Sequence, residues 1–246
     1  MEDNVAYKKF TYESSNPLAR FSHRTRFAKA VNIVSCIYEK WARGGGAGNF
    51  ALLDYGTGTG HFLNELLKKG WGQGGRKLAG FDPVSKPDFS DDSILFCSDL
   101  KLLECKFDIV TCFEVLEHFN SKNQREILTN IDSLLKQNGR VVISVPIEIY
   151  LPSIVKNVRR RLSLHRRKPV YSLKNMFKAL CGRDIPEIRE AEGFLPHIGF
   201  NHKKLEQLFS DIFQIERKSY SPFGCLNAHF NSQIFYVLKK MRFRSE

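Results

Sequence analysis

A chain of 246 residues with 42% apolar side chains has the length for one sizeable α/β core and is short for two. Its net charge of +12 favours anionic partners, and no apolar run approaches the roughly 18 residues of a membrane-spanning helix. Six cysteines without a C-x-x-C pair (Cys36, Cys97, Cys105, Cys112, Cys181 and Cys225) read as reduced thiols, with neither zinc nor disulfides implied. Met1-Glu2-Asp3-Asn4 lacks the basic start and apolar segment of a secretory leader, so a cytoplasmic chain is expected.

The first residues are polar up to Asn16-Pro17. Arg20, Phe21, Arg24, Phe27, Val31 and Val34 then follow the spacing of an amphipathic helix that reaches about Trp41 and stops at Gly44-Gly45-Gly46. Alternating strands and helices come next: a strand near 50–55, a helix near 61–69, and strands at 78–81, 94–97 and 107–113. A helix near 121–137 and a strand at 140–145 complete the run. Strands joined by helical or loop crossovers predict a parallel sheet. After Val145-Pro146 the alternation lapses for about fifty residues, then resumes with a helix near 203–209 and strands near 213–220 and 233–238. The chain divides as one domain: an N-terminal helical segment (1–47), a core (48–146), a basic insertion (147–202) and a C-terminal helix with strands (203–246).

Between the first strand and its helix lies Asp54-Tyr55-Gly56-Thr57-Gly58-Thr59-Gly60. Glycines at alternate positions permit a tight turn and close approach of a ligand to the backbone, beside the N–H groups that open the next helix. A dinucleotide fingerprint G-x-G-x-x-G fails in both registers, because its third glycine falls on His61 or on Leu63. The pattern D-x-G-x-G-x-G resembles motif I of the class I S-adenosylmethionine-dependent methyltransferases. Phe107-Asp108-Ile109-Val110-Thr111-Cys112-Phe113-Glu114-Val115-Leu116-Glu117-His118 resembles the F-D-x-V-x-x-x-E-V-x-E-H segment of the branch that holds ubiquinone-pathway and sugar or lipid O-methyltransferases. Leu134 to Pro146, with its Asn138-Gly139 turn, is similar to the helix, turn and fifth strand of that family.

The resemblance implies a Rossmann-like doubly wound α/β sheet, mostly parallel with an antiparallel last strand and helices on both faces. It implies S-adenosylmethionine as cofactor, with Asp54, Gly56, Gly58 and Gly60 along its methionine part. Asp82, after the second strand, stands where a carboxylate accepts hydrogen bonds from the ribose hydroxyls. Asp99 and Leu100 stand at the adenine, and Phe113 and Glu114 line the site after the fourth strand. A sulfonium is already a leaving group, so the protein need only align a nucleophile and exclude water. If the acceptor is a hydroxyl, His118 is the candidate base, since an imidazole with its ordinary pKa of about 6.5 suits the task. Glu114, Glu117 and His118 with His197 or His202 make a candidate metal set; the run is also common in relatives that imply no metal.

The insertion is the candidate selector of the acceptor. From Ile149 to Arg183 it holds ten Lys or Arg and no Asp or Glu. Leu151, Ile154, Val155, Val158 and Leu162 recur at helical spacing, with Lys156, Arg159, Arg160, Arg166, Arg167 and Lys168 beside or after them. Such a segment reads as a lid helix, as a peripheral contact with an anionic membrane, or as a grip on the phosphates of a lipid-linked or nucleotide-linked sugar. The leading expectation is O-methylation of a small or lipid-linked acceptor, such as a cell-envelope glycan intermediate. RNA 2′-O-methylation is the rival, disfavoured because the patch lacks interleaved aromatics for base stacking. A binding module without catalysis is the third reading, and the sequence sets no oligomeric state.

Overall fold

A computed structural model describes residues 17–46, 48–162, 171–185 and 199–241. Helix α1 (Pro17–Arg43) precedes strand β1 (Phe50–Tyr55), helix α2 (His61–Lys68), β2 (Arg76–Phe81), β3 (Ile94–Cys97) and β4 (Phe107–Phe113). Helix α3 (Ser121–Leu134) leads into β5 (Leu135–Pro146). The insertion supplies α4 (Tyr150–Leu162) and α5 (Leu173–Leu180), and the chain closes with α6 (His202–Ser210), β6 (Phe213–Ser221) and β7 (Gln233–Lys240). The strands form one sheet in the order β3-β2-β1-β4-β5-β7-β6, with β7 antiparallel to both neighbours and every other pairing parallel. This is the doubly wound arrangement expected from the resemblance.

Alternation along the strands builds two cores, one on each face. Leu52, Ile109 and Val142 point to one side, where Ala30, Ile33 and Val34 of α1 and Leu63 and Leu66 of α2 cover them. Leu53, Val110 and Val141 point to the other, covered by Leu128 and Ile131 of α3 and by Leu205 and Phe209 of α6. Because both faces are buried, β1 is apolar from Phe50 to Leu53 and β4 is interrupted only by Asp108 and Thr111, without a regular alternation. Asp108 ties the amino edge of the sheet together: its carboxylate accepts from the Ala51 N–H at 2.9 Å and from Lys136 Nζ at 2.6 Å.

One boundary differs from expectation. The helix predicted to reach residue 137 ends at Leu134, and the strand begins at once. Leu135 pairs with Phe107, then pairing resumes at Arg140 opposite Ile109, so Asn138-Gly139 lies in a bulge of β5 instead of in a turn before it.

Candidate functional site

The carboxyl ends of β1, β2 and β4 converge at the centre of the sheet, the place where open α/β sheets bind ligands. Three glycines shape the turn that leaves β1: Gly56, Gly58 and Gly60 have φ of 78°, 55° and 79°. All three lie in the left-handed region that side chains resist. Gly56 and Thr57 donate their N–H groups to the Phe81 carbonyl at 2.7 and 3.0 Å, which folds the turn over the end of β2. A Cβ on Gly56 would strike Val115, and one on Gly60 would strike Phe89, whereas one on Gly58 would meet nothing within 4 Å. The first and third glycines are therefore needed for close packing, and Gly58 faces open space.

Asp82 joins this turn to β2 and β3. Its Oδ2 accepts from the Gly58 N–H at 2.9 Å, its Oδ1 accepts from Val84 and Ser85 N–H at 2.9 and 2.7 Å, and its own N–H donates to the Cys97 carbonyl at 3.1 Å. A carboxylate has about four acceptor positions. Three are taken, so one ribose hydroxyl fits without rearrangement, and a second would displace Gly58 or the 84–85 turn. Asp99 is exposed and caps the 3₁₀ turn Leu100–Leu102, accepting from the Lys101 N–H at 3.0 Å, and Leu100 packs half-buried on the core. Open space at Gly58, a carboxylate beside it and an acid after β3 together fit a cofactor with a ribose and a flanking base.

Asp54 lies beneath the turn at 3% exposure. Thr111 Oγ1 donates to its Oδ1 at 2.6 Å, but burial outweighs this bond, and the carboxyl pKa rises to about 6. Asp54 thus supports the loop from below, through its bond to Thr111 and its contact with the Thr57 side chain. The half-buried Phe113 ring packs edge-on to Phe62 at 4.9 Å.

Glu114 leaves β4 at φ 57°, a strained position for a side chain, secured by its N–H to the Ser144 carbonyl at 3.0 Å. Arg26 of α1 donates to its Oε2 at 3.1 Å, and Gln233 of β7 donates to its Oε1. Burial pushes the Glu114 pKa up, opposed by Arg26 and Lys156, with Glu148 adding to the rise. Glu148, at 2% exposure, pairs with Lys156 Nζ of α4 at 2.6 Å. Two acids at the ends of β4 and β5 are thereby matched by one cation from α1 and one from the insertion. Sequence reading missed Arg26, Glu148, Lys156 as an ion-pair partner, and Gln233. Glu148 carried the one available signal, as the last acid before the acid-free stretch.

His118 closes the 3₁₀ turn Leu116–His118, nearly buried, with Nε2 3.9 Å from Glu117 Oε1. His202 opens α6 at 3% exposure, 6.5 Å from the Tyr150 ring centroid, and burial lowers its pKa to about 4. Among the described residues no three His, Cys, Asp or Glu side chains group as metal ligands, so Glu114, Glu117, His118 and His202 do not assemble. His197 lies outside the described residues. Two open clefts of about 920 and 760 Å³ lie at the opposite, amino edge, around Asn138 and Arg140. They take no part in this site.

The family model described as a methyltransferase domain matches residues 18–180, about two thirds of the chain. The chain belongs to the methyltransferase domain family. No curated protein matches it in sequence. Among solved structures, the methyltransferase is similar to magnesium protoporphyrin IX methyltransferase from Synechocystis PCC 6803 with bound S-adenosylhomocysteine. The TM-score is 0.55 at 15% identity, covering 97% of this chain and 95% of that one. The PH0226 protein from Pyrococcus horikoshii OT3 gives 0.56 at 15% identity, with 98% and 99% covered. A Burkholderia thailandensis 1,6-didemethyltoxoflavin-N1-methyltransferase, solved with 1,6-didemethyltoxoflavin and S-adenosylhomocysteine, gives 0.54 at 16%, with 97% and 86% covered. At these identities the likeness is one of fold: the class I methyltransferase sheet.

Proposed function

We propose that the chain transfers the methyl group of S-adenosylmethionine to an oxygen of a small or lipid-linked acceptor, such as a cell-envelope glycan intermediate. The observation that carries the donor is the bond from the Gly58 N–H to Asp82, which sets a carboxylate beside the one glycine of this turn that faces open space. Family membership and the two solved relatives that hold S-adenosylhomocysteine support the same cofactor. Bound there, the cofactor supplies an electrophilic methyl on a sulfonium. Gly56, Gly58 and Gly60 shape the floor, Asp82 accepts from the ribose, and Asp99 and Leu100 flank the base. His118 takes the proton of the acceptor hydroxyl as the new oxygen–carbon bond forms and the carbon–sulfur bond breaks, leaving S-adenosylhomocysteine. Glu114, fixed by Arg26 and Gln233, keeps the end of β4 in one conformation beside that path. Peripheral membrane contact by the basic insertion accords with a lipid-linked acceptor.

Calorimetry tests the donor. Micromolar binding of S-adenosylhomocysteine is expected, weakened roughly tenfold or more in Asp82→Ala, since a hydrogen bond to a charged group contributes about 1.5–3 kcal/mol. Absence of binding at millimolar concentration would overturn the reading. Methyl transfer to a panel of hydroxylated and amine acceptors then tests the oxygen assignment, which fails if amines alone are methylated.

A further inference from the structure

Thirteen large apolar side chains stand exposed among the described residues, and nine of them fall in three short segments. Leu151, Val155 and Val158 repeat at i, i+4, i+7 on α4, and Leu173, Phe177 and Leu180 repeat identically on its neighbour α5. Each helix therefore shows an apolar stripe to the outside. The inward side of α4 is polar: Ser153 and Asn157 are fully buried there, and the Asn157 side chain accepts from the Tyr171 N–H at 3.0 Å and donates to the Ser153 carbonyl at 2.8 Å. This inverts the amphipathic pattern of a water-facing helix, and contiguous exposed apolar surface marks a contact site.

The third segment is the loop between β6 and β7, which exposes Phe223, Leu226 and Phe230. It is held firmly. Asn231, fully buried, donates to the carbonyls of Phe223, Leu226 and Asn227 and accepts from the Phe223 N–H at 2.7 Å. The His229 ring lies 4.0 Å from the Tyr150 ring, so the loop abuts the start of α4.

Charge identifies the occupant. The chain from Ile149 to Arg183 has ten Lys or Arg and no acid; the next acid, Asp184, is bound to Asn201 and Lys204. Lys156 is turned inward to Glu148, while Lys174 and Arg183 are exposed. A second copy docking by two-fold symmetry would bring the exposed Lys174 and Arg183 up against their own counterparts, which disfavours a dimer. We propose that α4, α5 and the β6–β7 loop form a surface that docks on an anionic lipid bilayer. The apolar tips enter the headgroup boundary and the cations meet the lipid phosphates. Docking there sets the carboxyl edge of the sheet beside the bilayer. The further step, that the acceptor reaches the site from the membrane, rests on the methyl-transfer reading; the docking does not.

The test is sedimentation of the full chain with vesicles of phosphatidylcholine, with and without phosphatidylglycerol. Sedimentation with the anionic vesicles alone is expected, reduced at least about tenfold in Phe177→Asp and in Leu173→Asp, because both charge and apolar burial contribute. Both side chains are exposed, so the variants keep their fold, which unchanged S-adenosylhomocysteine affinity verifies. Three results overturn the proposal. They are equal recovery from both vesicle types, salt-sensitive anionic binding that Phe177→Asp leaves unchanged, and a dimer in solution that Phe177→Asp dissociates. Vesicle binding without any S-adenosylhomocysteine binding would instead sink the methyl-transfer reading and leave the docking standing.

Discussion

Gly58 combines a φ of 55° with empty space where a side chain would stand, so a methyl group there costs backbone strain and intrudes on the ligand side. Left-handed backbone costs a non-glycine residue about 1–2 kcal/mol. Gly58→Ala is therefore expected to lower Tm by roughly 2–8 °C in a chain of this size and to weaken S-adenosylhomocysteine binding more than that strain alone explains. Calorimetry and a thermal melt separate the two effects. His118→Gln is expected to reduce kcat by roughly 10²–10⁴ with cofactor affinity unchanged, the range for losing a general base. A kcat equal to that of the parent would remove the histidine from the chemistry. Asp82 and the glycines were legible because a turn at a strand end is encoded locally, by residue type and spacing. Arg26 and Gln233 were not, because they reach Glu114 across 88 and 119 residues of sequence.

At the scale of elements, α4 is fastened by Lys156 to Glu148 at the end of β5, and breaking that pair takes a cation from a nearly buried carboxylate. Lys156→Met is expected to cost about 2 kcal/mol by chemical denaturation, below the range for fully buried pairs because the lysine is 31% exposed. Glu148→Gln should cost less, and the double variant less than the sum, since one interaction is removed twice. Additive losses would show that the two residues act independently. The amphipathic spacing of α4 was readable from sequence, but its orientation was not: periodicity reports that a helix has two faces without saying which one the protein covers. The same limit applies to the end of α3, where Asn138-Gly139 reads as a turn between helix and strand and is accommodated as a bulge instead.

For the whole molecule, Asp54 and His202 set opposing pH dependences from opposite sides of one sheet edge. Burial lowers the folded-state pKa of His202 to about 4 from 6.5, so its contribution to stability is complete above about pH 6.5 and is lost as pH falls toward 4. Burial raises that of Asp54 to about 6 from 3.8, so its contribution is complete below about pH 3.8 and is lost as pH rises through 6. Between about pH 4 and 6 the two slopes oppose, each near 1.4 kcal/mol per unit. Melts across that range should show His202→Gln losing stability as pH rises and Asp54→Asn gaining it, with the parent between them. Identical slopes in all three proteins would refute the opposition. The sheet itself was legible from composition and alternation, because both-face burial writes apolar runs into β1, β4 and β5. The reversal of β7 has a wider effect. An antiparallel partner to β5 needs no crossover, so the loop from Pro222 to Ser232 returns to the edge where the glycine turn lies. That edge is thus bordered by a hairpin loop far in sequence from the turn that would grip the donor. Selection can lengthen or recompose that loop without disturbing the glycine turn, so the two borders of this edge are free to evolve separately.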